Sequence, residues 1–338
     1  MTTQWQTDMA DAVRDPRELL ELLDLDPALL EPARRAAVAF PLRVPRAFLA
    51  RMTKGDPADP LLRQVLPLGE ELEDVPGYVR DPVGDMPSLA AKGVLHKYEG
   101  RVLLITTGAC GVHCRYCFRR HFPYSEENAR SSEWQEALDY LKRDSSIDEV
   151  ILSGGDPLSL SDERLAVLVR SLEDIPHLKR LRIHTRQPVV LPSRVDDGLI
   201  AWLAACRLQK VVVLHVNHAR ELDDSVRDAC AKLRAAGATL LNQTVLLRGV
   251  NDSAVTLSEL SKALFASQVL PYYLNLLDPV AGAAHFDVPE TQALELMMAL
   301  RARLPGYLVP RLVREVPGED SKMPVADRAK PAVDTRQN

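Results

Sequence analysis

From residue 101 onward the chain alternates short β-branched apolar runs with longer amphipathic stretches, and no other feature restricts its fold as much. The runs are RVLLITT (101–107), DEVILSGG (148–155), RLRIHTR (180–186), KVVVLHVN (210–217), TLLNQTVLL (239–247) and YYLNLLD (272–278). Apolar residues at helical spacing fill the intervals at 132–144, 161–175, 195–207, 222–237, 253–268 and 289–304. The first of these opens with Ser132 and carries Gln135 three positions later, the separation of a capping box. After the second run the strands recur about every thirty residues, the length of one βαβ unit. Near-continuous apolar strands alternating with helices predict a parallel sheet covered by helices, because such strands are buried on both faces. Six such units build either a partial β/α barrel or an open doubly wound sheet.

Polar residues follow almost every run: Cys110, SGGD at 153–156, HTR at 184–186, HVN at 215–217, NQ at 242–243 and Asp278. Ligand sites of both architectures lie at the carboxyl ends of their strands, and six contributing strands converge most easily around one axis, which favours the barrel. With 338 residues and 46% apolar content the chain can fill such a core. The first ninety-five residues read differently, with a polar, acidic start and Pro-rich connectors such as DPADP and DPVGDMP. They predict a mainly helical extension over 1–95, the barrel over 96–323 and a flexible tail over 324–338. A net charge of −5 argues against a general nucleic-acid binder, and no stretch has the eighteen or so apolar residues of a membrane span. A cytoplasmic protein without nucleic-acid or membrane partners is expected.

Three of the five cysteines fall within CGVHCRYC (110–117). Cys206 and Cys230 lie in helical stretches and read as small buried apolar residues. An odd count with three crowded on one loop points to metal or redox chemistry rather than a disulfide framework. The spacing alone leaves three assignments open. A tetrahedral zinc site needs a fourth ligand, which His113 or His121 can supply. Cys114 and Cys117 have the separation of a redox pair. A [4Fe–4S] cluster normally takes four cysteines, so three leave one iron open to an external chelator such as S-adenosylmethionine.

The cysteine motif, followed by SGGDPL (153–158), LLNQTVLLRGVND (240–252), PYYLNLLDPVAGAAHF (271–286) and PGEDSKMP (317–324), resembles the radical S-adenosylmethionine lysine 2,3-aminomutase family in order and spacing. LHKYEGRVLL (95–104), FRRHFPY (118–124) and GYLVPRLVREVPGEDSK (306–322) are most similar to the bacterial members that make (R)-β-lysine for modification of translation elongation factor P. The resemblance runs from LRVPRAFLARM (42–52) to Lys322. It implies a partial (β/α)6 barrel and conversion of L-α-lysine to (R)-β-lysine by radical 2,3-amino migration. The cofactors it implies are a [4Fe–4S] cluster, S-adenosylmethionine and pyridoxal 5′-phosphate. It further implies a flavodoxin- or ferredoxin-like electron donor and a link to a lysyltransferase acting on elongation factor P, and it allows a homo-oligomer. Two other readings compete: an aminomutase for arginine or glutamate, and a zinc-stapled RNA- or protein-binding module.

By this resemblance Cys110, Cys114 and Cys117 bind the cluster. Ser153, Gly154, Gly155, Asp156, His215 and Gln243 reach S-adenosylmethionine, the glycines admitting a close backbone approach to it. Asn217 and His184 are secondary candidates. Lys322 stands at the place of the family's pyridoxal-phosphate lysine, whose chemistry needs a flexible primary amine. It follows PGEDS where the family usually has a glycine run. Lys97 and Arg101, four apart on what reads as one extended segment, share a face and are assigned to the phosphate, with Tyr98 and Gln64 beside it. Arg119 matches the carboxylate-binding arginine, and Arg120 reads as a solvated loop residue. Asp278 and Glu315 stand where the family places acids against the substrate's distal ammonium, the second often being aspartate. Paired acids in a cavity reject a neutral side chain, because their charge would stay uncompensated.

Overall fold

A computed structural model describes residues 2–124 and 134–326. Ten strands form one sheet in chain order. β1 (Leu89–Ala91), β2 (Val94–Tyr98) and β3 (Arg101–Thr107) run antiparallel to one another. From β3 the sheet continues in parallel through β4 (Glu149–Gly154), β5 (Arg180–Thr185), β6 (Gln209–Leu214), β7 (Ala238–Val245), β8 (Leu270–Asn275) and β9 (Arg311–Arg314). β10 (Met323–Pro324) turns back antiparallel on β9. The first and last strands do not pair among the described residues, so the fold is α/β, a partial (β/α)6 barrel with one further parallel strand. β9 escaped the sequence reading because four residues with arginine at both ends carry little apolar pattern.

A helix follows each strand from β3 to β8: Gln135–Arg143, Asp162–Glu173, Asp197–Ala205, Asp224–Ala235, Ala254–Ala266 and Glu290–Arg303. Each lies inside its predicted stretch, and local chemistry sets the starts. Asp196, Asp223 and Ser253 cap three of them, each side chain accepting a backbone N–H of the first turn. The first helix departs from expectation. It begins at Gln135, behind Trp134 in the left-handed region (φ 63°), so Gln135 is not the third residue of a capping box. Ser132 lies outside the described residues.

Strand register decides where the site is built. Thr107 aligns with Gly154, Thr185 with Leu214, Val245 with Asn275, and Asn275 with Val313. The carboxyl ends therefore emerge along one rim. The extension has its own core, including Trp5, Leu19, Phe48 and Leu62, which also takes in Val112 and packs on Cys114. It thus closes over the cysteine loop. The sheet begins at Leu89, so a boundary between 95 and 96 would cut through β2. Lys97 and Arg101 likewise do not share one extended segment: β2 turns back into β3 at Glu99–Gly100, with Gly100 at φ 74°. Pro324 belongs to β10, and the tail beyond Ala326 lies outside the described residues. No helix among the described residues is long and apolar enough to cross a membrane.

Candidate active site

A cavity of about 480 Å³ opens inside the barrel at the rim. Its wall contains Cys110, Cys114 and Cys117, the Ser153–Asp156 turn, His184, His215, Asn217 and Gln243. Lys97, Tyr98, Arg101, Arg119, Asp278, Glu315 and Lys322 line it too. Gln64 does not. Its amide is buried and committed to Pro60 O, Glu221, Arg186 and Asn217 at 2.6–3.1 Å, which leaves no donor for a phosphate. Contrary to expectation, Gln64 is a buried structural residue and not a phosphate contact.

The cysteine loop is held from behind by buried charge. Glu71 accepts two hydrogen bonds from Arg115, at 2.8 and 2.5 Å, and one from Arg120 at 2.7 Å. Arg120 also donates to Gly282 O (2.8 Å), so it is a structural tie and not a solvated residue. Arg186 donates to Cys114 Sγ and to Tyr116 OH, both at 2.8 Å, and to Glu221 at 2.9 Å. His113 and His121 are turned to backbone carbonyls, of Pro41 at 2.8 Å and Ala281 at 3.1 Å, and neither lines the cavity. This overturns the zinc assignment that required one of them as fourth ligand.

At the end of β4 the glycines line the cavity and also carry a packing task the sequence did not show. A Cβ on Gly155 would lie 2.4 Å from Ala109 O, and one on Gly154, at φ 119°, would lie 2.7 Å from Thr107 O. They let β4 close against the cysteine loop, sealed by Gly155 N–H to Thr107 O (2.6 Å) and Asp156 N–H to Ala109 O (2.8 Å). Asp156 is similarly engaged. Its carboxylate accepts from Thr185 Oγ1 (2.7 Å), Arg186 N (2.7 Å), Gln187 N (3.1 Å) and Leu158 N (3.0 Å), locking β4 to β5. Asn217 is likewise used up by Gln64, Tyr116 and the Val245 N–H. His215 contacts Gln243 through Nε2 at 2.7 Å, and burial pushes its pKa down to about 3, which keeps the ring neutral. His184 Nε2 is buried with no hydrogen-bond partner among the described residues.

The opposite wall is a lattice of charge. Lys322 reaches the cavity because Gly318 turns the PGED segment (φ 85°) and β10 then pins the following residues to β9. Its ammonium pairs with Glu315 Oε2 at 2.9 Å, while Tyr98 OH donates to Glu315 Oε1 at 2.5 Å. Burial would raise the Glu315 carboxyl, yet Lys322 and the tyrosine hold it below its usual range. Asp278 goes the other way: burial raises it to about 6, against the pull of Lys322. Arg119 donates to Asp85 Oδ2 at 2.6 Å and to Ser153 Oγ at 3.2 Å. Asp85, Glu71, Glu221, Arg186 and Tyr116 were not singled out from the sequence. Arg186 and Tyr116 lay inside quoted motifs, whereas Asp85, Glu71 and Glu221 have no local signal.

Residues 104–259 match the Radical SAM superfamily. Over 95% of this chain and 94% of the other, the sequence is 52% identical to the L-lysine 2,3-aminomutase of Escherichia coli (strain K12). The chain belongs to the radical S-adenosylmethionine lysine 2,3-aminomutase family. It is also 48% identical to the L-lysine 2,3-aminomutase of Haemophilus influenzae, over 94% of both chains. With that of Clostridium subterminale it shares 33% identity, over 95% of this chain and 77% of the other.

As an aminomutase the protein is an isomerase, and membership implies a [4Fe–4S] cluster, S-adenosylmethionine and pyridoxal 5′-phosphate as cofactors. The residues present fit them. Burial raises the Cys110 thiol, and Cys117, Asp156 and Cys114 raise it further. Cys117 is pushed up to about 11 by burial and then by Cys114. Cys110 and Cys117, both held toward the thiol form, need a bound cation to become thiolates, which iron would supply. The unpartnered His184 nitrogen leaves a polar contact for an occupant, and Lys322 is a primary amine at the cavity wall.

Proposed function

We propose that this aminomutase converts L-α-lysine to (R)-β-lysine. One observation carries the reading: the cysteine triad, Lys322 and the acid pair Asp278 and Glu315 all open into the same cavity. The cluster and S-adenosylmethionine, when bound, supply hydrogen-abstracting radical chemistry, and pyridoxal phosphate supplies the π-system that carries an amino group between neighbouring carbons. The protein's own residues bind and orient. Cys110, Cys114 and Cys117 would hold the cluster, with Arg186 stabilising the Cys114 thiolate. Gln243 and the neutral His215 offer the adenosyl moiety uncharged polar contacts, while Ser153, Gly154, Gly155 and Asp156 shape the turn beside it.

Lys322 would hold the pyridoxal aldehyde, with Lys97 and Arg101 on its phosphate and Tyr98 nearby. Arg119 presents a fork to the substrate carboxylate. Asp278 and Glu315 receive the distal ammonium; Glu315 keeps Tyr98 as a partner, so a neutral side chain would leave Asp278 as the acid without a cation of the substrate. Substrate and cofactors filling the cavity would keep the reacting carbon near its partners and leave little room for water.

We also infer that the product feeds a lysyltransferase acting on elongation factor P, that a flavodoxin- or ferredoxin-like protein supplies electrons, and that the protein works in the cytoplasm. The similarity of LHKYEGRVLL, FRRHFPY and the 306–322 segment to the bacterial members of that route supports this.

Anaerobic incubation of reconstituted protein with L-lysine, reductant and the cofactors should yield (R)-β-lysine by chiral chromatography. Turnover of arginine or glutamate instead would replace the substrate. Adding lysyltransferase and elongation factor P should then give a mass increase of one β-lysyl group, and an unchanged mass would remove the pathway assignment.

A further inference from the structure

Asp85 lies in the Pro-rich connector DPVGDMP, outside every segment that suggests chemistry. Its backbone is nevertheless fixed. The Asp81 carboxylate accepts the Asp85 N–H (2.9 Å) and the Met86 N–H (3.1 Å), and Ser88 Oγ donates back to Gly84 O (2.7 Å). Asp85 itself is only 2% exposed and lines the cavity. One carboxylate oxygen accepts from Arg119 Nε at 2.6 Å, and the other lies 2.7 Å from Lys97 Nζ as an ion pair. Lys97 also donates to Val83 O at 2.7 Å, in the same connector. Arg119 Nη2 makes no hydrogen bond among the described residues.

We propose that Asp85 is a positioning residue that clamps the two cations of the site at a fixed separation. Its grip on Nε turns the far edge of Arg119 toward the substrate carboxylate. Its grip on Nζ sets Lys97 for the cofactor phosphate. One buried charge thus couples the recognition of two different anions, because Asp85 is the carboxylate that Arg119 and Lys97 share at short range. The inference rests on the roles given above to Arg119 and Lys97. Glu315 Oε1 also pairs with Lys97 Nζ, but at 3.7 Å against 2.7 Å for Asp85, and the amide of Asp85→Asn can satisfy only one of the two cations while aiming N–H groups at the other.

The test is a pair of double-mutant cycles. Lysine KM and kcat are measured on reconstituted holoenzyme, and the pyridoxal phosphate Kd is read by absorbance on cluster-loaded protein stripped of it. Asp85→Asn should raise lysine KM and the pyridoxal phosphate Kd at least tenfold each, with kcat falling less and iron per chain unchanged. In Arg119→Ala the same substitution should no longer affect KM, and in Lys97→Ala it should no longer affect Kd. Asp85→Glu, which keeps the charge, should recover part of both. If Asp85→Asn loses iron or does not fold, the Asp85→Glu variant alone decides: both constants must rise together. Unchanged constants, a change in only one, or full additivity in the cycles would overturn the clamp. If Arg119→Ala and Lys97→Ala themselves leave KM and Kd unaffected, it is the underlying assignment of roles that falls.

Discussion

Asp278 is the residue where burial and charge oppose each other most directly. Burial holds its carboxyl up at about 6, with Lys322 pulling it down and Glu315 adding to the rise. A substrate ammonium needs the ionised form, so lysine KM should climb as pH falls through about 6, and Asp278→Asn should flatten that limb. The same substitution should cost roughly 10²-fold in kcat/KM, the scale of a lost charge-assisted hydrogen bond, measured with lysine at pH 8. Stability has the opposite sign. The folded pKa exceeds the unfolded value near 3.8, so the native state binds more protons between about pH 4 and 6. The Asp278 contribution should therefore fall as pH rises through that window, seen as a wild-type melting temperature that drops relative to that of Asp278→Asn between about pH 4 and 6. His215 acts in the opposite direction: burial keeps it neutral down to about pH 3 in the fold, whereas the unfolded chain protonates it near 6.5, so it adds stability as pH rises through the same window.

Among the elements, the junction of β4 with the cysteine loop is the most tightly constrained. Gly155 faces Ala109 O, where an added methyl would sit at 2.4 Å against backbone that cannot rotate away. Gly155→Ala should cost about 1–3 kcal/mol by overpacking, and iron per chain should fall because the loop bearing Cys110 is displaced. A thermal melt together with an iron assay checks this; wild-type iron content in the variant would show that the loop tolerates the shift. The glycines, the cysteine spacing and the strand–helix alternation were readable because each is a local pattern in the chain. The partners that give them meaning were not. SGGD suggested backbone opened toward a cofactor, and it does line the cavity, but its other neighbour, the preceding loop, was hidden, since register places Gly154 beside Thr107.

For the molecule as a whole, the extension is the cover of the site rather than an appendage. Phe48 is fully buried in its core, and its ring carries the guanidinium of Arg186 at 5.3 Å, the same arginine that donates to Cys114. Phe48→Ala should destabilise the protein by about 3–5 kcal/mol through the cavity it leaves. It should also speed loss of iron on dilution, followed by the decay of visible absorbance under anaerobic conditions. A destabilised variant that keeps its iron as long as the wild type would separate the extension from the cluster loop.

The alternation of apolar runs and helical stretches already specified a parallel sheet covered by helices, and the polar strand ends favoured its closure toward a barrel, since hydrophobic period and strand spacing are properties of consecutive residues. The cysteine spacing is likewise local, whereas Lys322, Arg119 and the two acids could be named only because the stretches around them resemble those of a known family. Tertiary structure alone decided which side chains are spent on holding the site and which remain free for ligands. Gln64, Asp156, Asn217 and Arg120 turned out to be committed to buried partners, and Asp85 emerged from a connector to join two cations. Those outcomes depend on contacts between residues tens to more than a hundred positions apart, where chain packing and the cost of leaving a buried charge unpaired, rather than local pattern, select the partner.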